Sequence, residues 1–575
     1  MKFVKVFLLL IVFLVLAVLC YYKLELYEYD QTTICNPINI SYRFTLSGPS
    51  FREAASPTVV LFKNEYFLFL TRSGGYWYSK DLAKWELITT EDLPIEDRSP
   101  TAVVLNDTMY FMASFGSPSI YRSADPKSGK WEEIRDNFPY GQMDPCLFVD
   151  DNKRMYLYYG CSDKSPIYGI EINTKNFNPI GKPKELIDSH KDDYGWERKG
   201  DNNELKENPW MEGAWMTKHN GRYYLQYAAP GTQYKGYCDG VYVSDSPLGN
   251  FKLAPNNPIS YKPGGFIAGA GHSSTFQDRY GNYWHISTMT ISRKHIFERR
   301  IGLFPMFFDK DNELYTYTAY GDFPMILPRK KVSSPEDLSP KWMLLSYGKP
   351  VMVSSELPDY PKENAVDEDV RTYWSASSGE RGEWIIVDLQ KVCIVNAVQL
   401  NYAENNTTIT GRNTDIYCQY DLEASLDKKD WETIKSRKGS KKDLPHDYIE
   451  LKKPIKARYI KLTNRHVPDG TFALSGLRVF GNAAGALPKA VDKFSITRSD
   501  TDRCIVKLKW QINPEDVGYT IRYGSKQDKL YHFYQVLGSD SLIIRSLNRF
   551  EKYYFTIDAF NENGITKGTK IVSVD

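Results

Sequence analysis

Apolar and polar positions alternate with period two along most of this chain, in short runs closed by Asn, Gly or Asp turns. NEYFLFL, NDTMYFMAS, DDNKRMYLYYG, NGRYYLQYA and YGNYWHIS each set a polar turn before alternating aromatic and apolar residues. Such runs predict two antiparallel strands joined by a tight turn. One residue precedes each hairpin tyrosine by nearly the same distance: Ser56 before Tyr66, Ser99 before Tyr110, Asp144 before Tyr156, Glu212 before Tyr223 and His272 before Tyr283. A strand-only unit repeated at roughly 40–70 residues predicts the blades of a propeller. Blades pack radially, so equivalent positions point at one axis, and these five residues are expected to meet there. Two are carboxylates and one is a histidine, which acid/base chemistry needs.

A second motif supports the blade count. YWYSKDLAKWELI (76–88), IYRSADPKSGKWEEI (120–134) and VYVSDSPLGNFKL (241–253) share an aromatic, a serine, an aspartate and a closing aromatic. Each reads as the outer part of a blade, where a strand ends in an Asp/Ser turn. The polar stretch 188–210 is too long for a plain turn, and long loops on a rigid scaffold tend to carry function. Residues 327–342, charged and Pro-rich, read as a linker. The expected units are a propeller over 46–330, a second all-strand unit over 345–482 and a third over 487–575.

Length and composition sharpen this picture. A chain of 575 residues exceeds one core. Aromatics reach 14%, led by 42 Tyr, which suits both sheet faces and sugar-stacking surfaces. A net charge of +2 without a basic block argues against a nucleic-acid partner. Lys2 and Lys5 precede an unbroken apolar run from Val6 to Tyr22. Residues 1–22 therefore read as an export signal or membrane anchor, with lipidation at Cys20 a third outcome. The body is expected outside the cytoplasmic membrane, with N-terminal membrane association open. The eight cysteines are scattered; Cys146 and Cys161 flank one hairpin and are either a pair or free thiols.

Three resemblances follow from particular residues. Asn364-Ala365-Val366-Asp367, Thr372-Tyr373-Trp374, the run Trp384 to Leu389 and the closing run Arg458 to Leu462 resemble the discoidin, or coagulation factor 5/8 type C, family. That implies a jelly-roll sandwich, often a carbohydrate-binding module in bacterial enzymes. Trp510 in KLKW, Tyr519 in YTIRYG and Tyr554 in YYFTIDAFNENG resemble a fibronectin type III domain, usually a spacer. Asp144 in MDPCLFVDD, Glu212 in PWMEGAWMTKHNG and His272 in GAGHSSTFQDRYG together resemble glycoside hydrolase family 43. That family implies a five-bladed propeller cleaving glycosidic bonds with inversion. The fold class expected is thus all-β: a five-bladed β-propeller, a jelly-roll β-sandwich and a C-terminal fibronectin type III-like sandwich.

By this resemblance Glu212 is the general acid and Asp144 orients and tunes it. Apolar neighbours of Glu212 are placed to raise its pKa by desolvation. Inversion also needs a base on the opposite face of the sugar. In the resembling family that base is an Asp before Pro in the first blade; here Ser56 stands in its place. A serine hydroxyl is a poor base at neutral pH, so Glu53 and Asp97 are alternative base candidates. The chain is read as an exported glycosidase acting on poly- or oligosaccharide, with a catalytically impaired glycan-binding surface protein as the alternative. Ser56, Trp77, Trp215, His272 and Arg300 are candidate substrate contacts. For Trp215, strand alternation favours a core position, and Arg299 shares the carboxylate-binding chemistry of Arg300. No cofactor is required; His272 is the one candidate ligand for a calcium ion.

Overall fold

The computed structural model describes residues 32–114 and 118–575. The apolar run Val6–Tyr22, read as signal or anchor, lies outside them. Strands dominate, and the helical segments among the described residues are four short 3-10 turns.

Five four-stranded antiparallel sheets follow one another along the chain. Blade 1 is Thr58–Phe62, Glu65–Phe69, Tyr76–Ser79 and Glu86–Ile88. Blade 2 is Arg98–Leu105, Thr108–Ser114, Ile120–Ser123 and Glu132–Arg135. Blade 3 is Cys146–Val149, Met155–Tyr159, Ile167–Ile172 and Pro179–Ile187. Blade 4 is Glu212–His219, Arg222–Ala229, Cys238–Ser244 and Lys252–Leu253. Blade 5 is Ala268–Gln277, Tyr283–Thr290, Arg299–Phe308 and Leu314–Thr316. Each hairpin tyrosine lies in the second strand of its blade. The aromatic alternation has a packing reason: Phe67, Phe69, Tyr76 and Tyr78 of blade 1 bury one face against Phe111 and Trp131 of blade 2. The Ser/Asp turns of the outer strands form as expected, with Ser79 Oγ accepting from the Leu82 N–H at 2.9 Å.

Residues 343–483 form an eight-stranded β-sandwich built on the long bent strands Trp384–Tyr402 and His446–His466. Its core contains Trp374, Ile385, Val387, Leu400, Leu462 and Phe472. Residues 494–574 form two further sheets, of three and five strands, around Trp510, Tyr519, Tyr523 and Tyr553.

The three units are docked by buried polar contacts. Arg52 of the propeller donates to Glu404 and Asp443 of the sandwich at 2.8 and 2.6 Å, with all three side chains at most 10% exposed. Arg412 of the sandwich pairs with Glu96 and donates to the carbonyls of Phe44 and Arg72. The 188–210 stretch, expected to carry function as a loop, also ties the propeller to the third unit. Arg198 pairs with Asp502 at 2.7 Å, and the Trp196 indole donates to Asn548 Oδ1 at 3.0 Å, both in the third unit.

Candidate active site

The axis of the propeller is lined by one residue from each blade, and a shared backbone conformation puts it there. Ser56, Ser99, Asp144 and His272 have φ of 49°, 47°, 47° and 45°, and Gly213 has 63°. A single left-handed residue at the mouth of a strand is the signature of a bulge, which re-aims one side chain and ends the pairing. Register shifts are present at this point in blades 2, 4 and 5. Three of these N–H groups are caught by a hydroxyl of the preceding blade. Ser56 N–H donates to Thr288 Oγ1 at 2.9 Å, Ser99 N–H to Thr71 Oγ1 at 3.0 Å and Asp144 N–H to Ser114 Oγ at 3.2 Å.

The side chains then close a ring about the axis. Ser99 Oγ donates to Asp144 Oδ1 at 2.5 Å, and Gly213 N–H donates to Asp144 Oδ2 at 3.3 Å. His272 Nδ1 lies 3.7 Å from Asp144 Oδ2 and 3.5 Å from Ser56 Oγ, which is 3.4 Å from Ser99 Oγ. The five residues expected to converge do so, with one offset. In blade 4 the left-handed position belongs to Gly213, so Glu212 sits one residue before its equivalents.

That offset sets Glu212 apart from the ring, in the wall of a cavity of about 390 Å³. Oε1 of Glu212 accepts from the Tyr237 hydroxyl, and Oε2 accepts from the Cys161 thiol at 3.3 Å. Ligand atoms of Asp144, Glu212 and His272 all lie within 4.8 Å of one another. Burial raises the Glu212 pKa above its ordinary value, and the Asp144 charge adds to this. His272, Tyr237 and Cys161 oppose the shift. The carboxyl is thereby biased toward its protonated form, as a proton donor requires.

The cavity is also lined by Ser56, Arg98, Lys199, Trp210, Phe297 and Arg299. Trp210 is 39% exposed and offers a stacking face. Asp144 and Glu212 are the carboxylates among the lining residues. Glu53 instead accepts from Arg299 Nη2 at 2.6 Å and is buried beneath it. Asp97 also stays out of the lining, and burial, then the Glu96 charge, push it up to about 6. Neither alternative base candidate therefore reaches the cavity.

Three expected substrate contacts are corrected. Trp77 is in the third strand of blade 1, away from the axis, fully buried with its indole donating to Ser41 Oγ at 3.2 Å. Trp215 packs on the core of blades 3 and 4, and its indole donates to the Thr275 carbonyl at 3.0 Å. Arg300 points away from the cavity, because successive strand residues face opposite sides. Its Nε donates to His446 Nε2 at 2.8 Å in the interface with the sandwich, while Arg299 faces the site. Tyr237, Cys161 and Trp210 complete the surroundings of Glu212. Of these, Trp210 alone is a close sequence neighbour of Glu212.

The donor set fits calcium poorly. A calcium ion takes six to eight oxygen ligands. Here the clustered side chains offer two carboxylates and an imidazole. Cys146 and Cys161 are both free thiols.

Residues 52–314 match the family model for glycosyl hydrolases family 43, and residues 350–475 match that for the F5/8 type C domain. The propeller is a family 43 glycosyl hydrolase domain. The sandwich behind it is an F5/8 type C domain. A beta-D-galactofuranosidase of Aspergillus niger is 27% identical over 159 residues, covering 27% of this chain and 40% of that protein. A beta-xylosidase of Xylanibacter ruminicola is 26% identical over 132 residues, covering 19% of this chain and 39% of that one. The chain thus spans about two fifths of the length of the curated relatives it matches. Among solved structures, a thermostable family 43 glycoside hydrolase shares 20% identity over 52% of this chain and 99% of its own, with a TM-score of 0.41. The family 43 protein BlXynB from Bacillus licheniformis shares 15% identity over 94% of this chain and 98% of its own, with a TM-score of 0.41. Within the family 43 domain, Glu212, Asp144 and His272 line a common cavity.

Proposed function

We propose that the axial cavity receives a sugar unit of a poly- or oligosaccharide and that Glu212 protonates the leaving glycosidic oxygen. The observation that carries this reading is the pairing of a half-buried Glu212, its pKa raised, with Asp144 in a single cavity. Asp144 is the tuner: its charge makes Glu212 harder to ionise, and its own oxygens are fixed by Ser99 and Gly213. Inverting hydrolysis places its two working carboxyls roughly 6.5–9.5 Å apart to admit a water. Asp144 is too close to Glu212 for that base role. Trp210 and Phe297 supply sugar-facing aromatic surface, and Arg299 a fixed cation. The reading needs no cofactor.

A second reading is favoured by one observation: Ser56, not a carboxylate, occupies the expected base position, and Glu53 and Asp97 stay outside the cavity. Under it, the protein binds glycan and no longer cleaves it. Product release from a panel of oligosaccharides and aryl glycosides separates the two. A hydrolase loses about 10²–10⁴-fold in turnover on Glu212→Gln with little change in sugar affinity. Equal, background-level release from both proteins, with sugar still bound, selects the binding protein. Residues 487–575 are read as a fibronectin type III-like spacer, and the body as exported, with residues 1–22 as signal or anchor.

A further inference from the structure

The Glu212 carboxyl has two oxygens with unequal partners. Oε1 faces the phenol of Tyr237, a strong donor, and Oε2 faces the thiol of Cys161, a weak one. A proton on the carboxyl weakens the bond accepted by the oxygen that carries it. Weakening the thiol bond loses less, so the proton of the acid form belongs on Oε2. Cys161 follows the second strand of blade 3, and its strand end is tied to the start of blade 4 by the reciprocal Ser162–Met211 backbone bonds of 2.9 and 3.0 Å. The thiol is therefore set against Glu212 by main-chain pairing and not by its own rotamer alone.

The sulfur has a second partner. The Trp210 indole N–H donates to Cys161 Sγ at 2.9 Å, which occupies the acceptor side of the sulfur and leaves the S–H aimed at Glu212. Trp210 is itself on the cavity wall and well exposed. Burial, then the charges of Asp144 and Glu212, hold the thiol pKa far above its usual range. Cys161 is thus a neutral donor across the working pH range, and not a nucleophile.

We propose that Cys161, held by Trp210, is a positioning residue that assigns the transferable proton to Oε2 of Glu212 and couples the acid to whatever covers the Trp210 ring. This rests on the reading of Glu212 as proton donor. When a sugar stacks on Trp210 the indole is fixed, and with it the sulfur that faces Oε2.

The test is a carbon-13 NMR titration of the Glu212 carboxyl in the full-length, ligand-free protein, beside the pH profile of kcat/KM. Cys161→Ser puts a stronger donor against Oε2, which favours the ionised carboxylate. The Glu212 midpoint is expected to fall by ~0.5 unit or more, and the alkaline limb of the pH profile with it. Trp210→Phe keeps an aromatic ring on an exposed position but removes the indole donor. The thiol becomes a poorer donor, and the midpoint is expected to rise. Opposite shifts in the two variants support the proposal. Unchanged midpoints in either folded variant, or shifts of the same sign in both, overturn it. A purely structural role lowers kcat at every pH without moving the limb. If the protein releases no product at all, the proton-donor reading fails, yet the titration still reports whether Cys161 and Trp210 govern Glu212.

Discussion

Gly213 lies so close to His272 that a methyl group on its Cα would come within 2.6 Å of the ring carbon Cγ and 2.7 Å of Cδ2. Its φ of 63° also disfavours any side chain. Blade 4 is thus the one blade that presents bare backbone to the axis, and its N–H fills the space by donating to Asp144. Gly213→Ala is expected to destabilise the protein by about 1–3 kcal/mol and to push the His272 ring off Asp144. Chemical denaturation gives the stability change, and a sugar-binding isotherm reports the damage to the cavity.

Ser56 stands where the resemblance puts the inverting base, with its Oγ 3.5 Å from His272 Nδ1. Ser56→Asp restores a carboxylate there. Product release is expected to rise about 100-fold over wild type, the lower end of what general acid–base catalysis contributes. Release assayed on the substrate that wild type binds best checks this. No gain in a folded variant means the missing carboxylate is not what limits turnover.

Glu197 makes a pH prediction away from the site. Burial pushes its pKa up to about 8, against the pull of the Tyr227 hydroxyl and the His190 N–H. The folded protein therefore holds this proton more tightly than the unfolded chain, where Glu titrates near about 4.3. The stabilisation is complete below that lower value and is lost as pH rises through the folded value. Between pH 5 and 8 wild type should lose stability at a slope approaching about 1.4 kcal/mol per pH unit from this group. In Glu197→Gln that slope is absent. Urea midpoints of both proteins at pH 5, 7 and 9 give the comparison.

Arg52 joins the family 43 domain to the F5/8 type C domain through Glu404 and Asp443. Arg52→Ala leaves two carboxylates buried without their partner, an expected loss of about 3–5 kcal/mol. Scanning calorimetry should show the propeller and sandwich melting apart, where wild type melts them together. A single unchanged transition would mean the interface is held elsewhere.

Much of this architecture was legible in the residues. The tyrosine hairpins gave the blades, because period-two alternation and turn chemistry are local. The five upstream positions gave the axis, because radial packing turns a repeat into a point of convergence. Side-chain direction was less accessible. Arg299 and Arg300 carry the same chemistry, and only the strand register decides which faces the cavity. Trp77 is an aromatic like any sugar-stacking residue, but its strand is the third of its blade and lies in the core. Glu212 was found by its motif, while the one-residue offset with Gly213 was not, since a bulge leaves no period to read. Cys161 and Tyr237 lie just outside strands, 51 and 25 residues from Glu212, and carry no motif of their own. The polar 188–210 stretch does both jobs: Lys199 and Trp210 line the cavity, while Trp196 and Arg198 dock the third unit, which polarity alone did not reveal.

A crystal structure of the Glu212→Gln protein with a bound oligosaccharide tests the central claim most directly. The account predicts a sugar ring in the axial cavity against Trp210, with a glycosidic oxygen within hydrogen-bond reach of residue 212, about 2.6–3.2 Å. Sugar seated only on the F5/8 type C domain, or lying in the cavity with every glycosidic oxygen remote from residue 212, would contradict it.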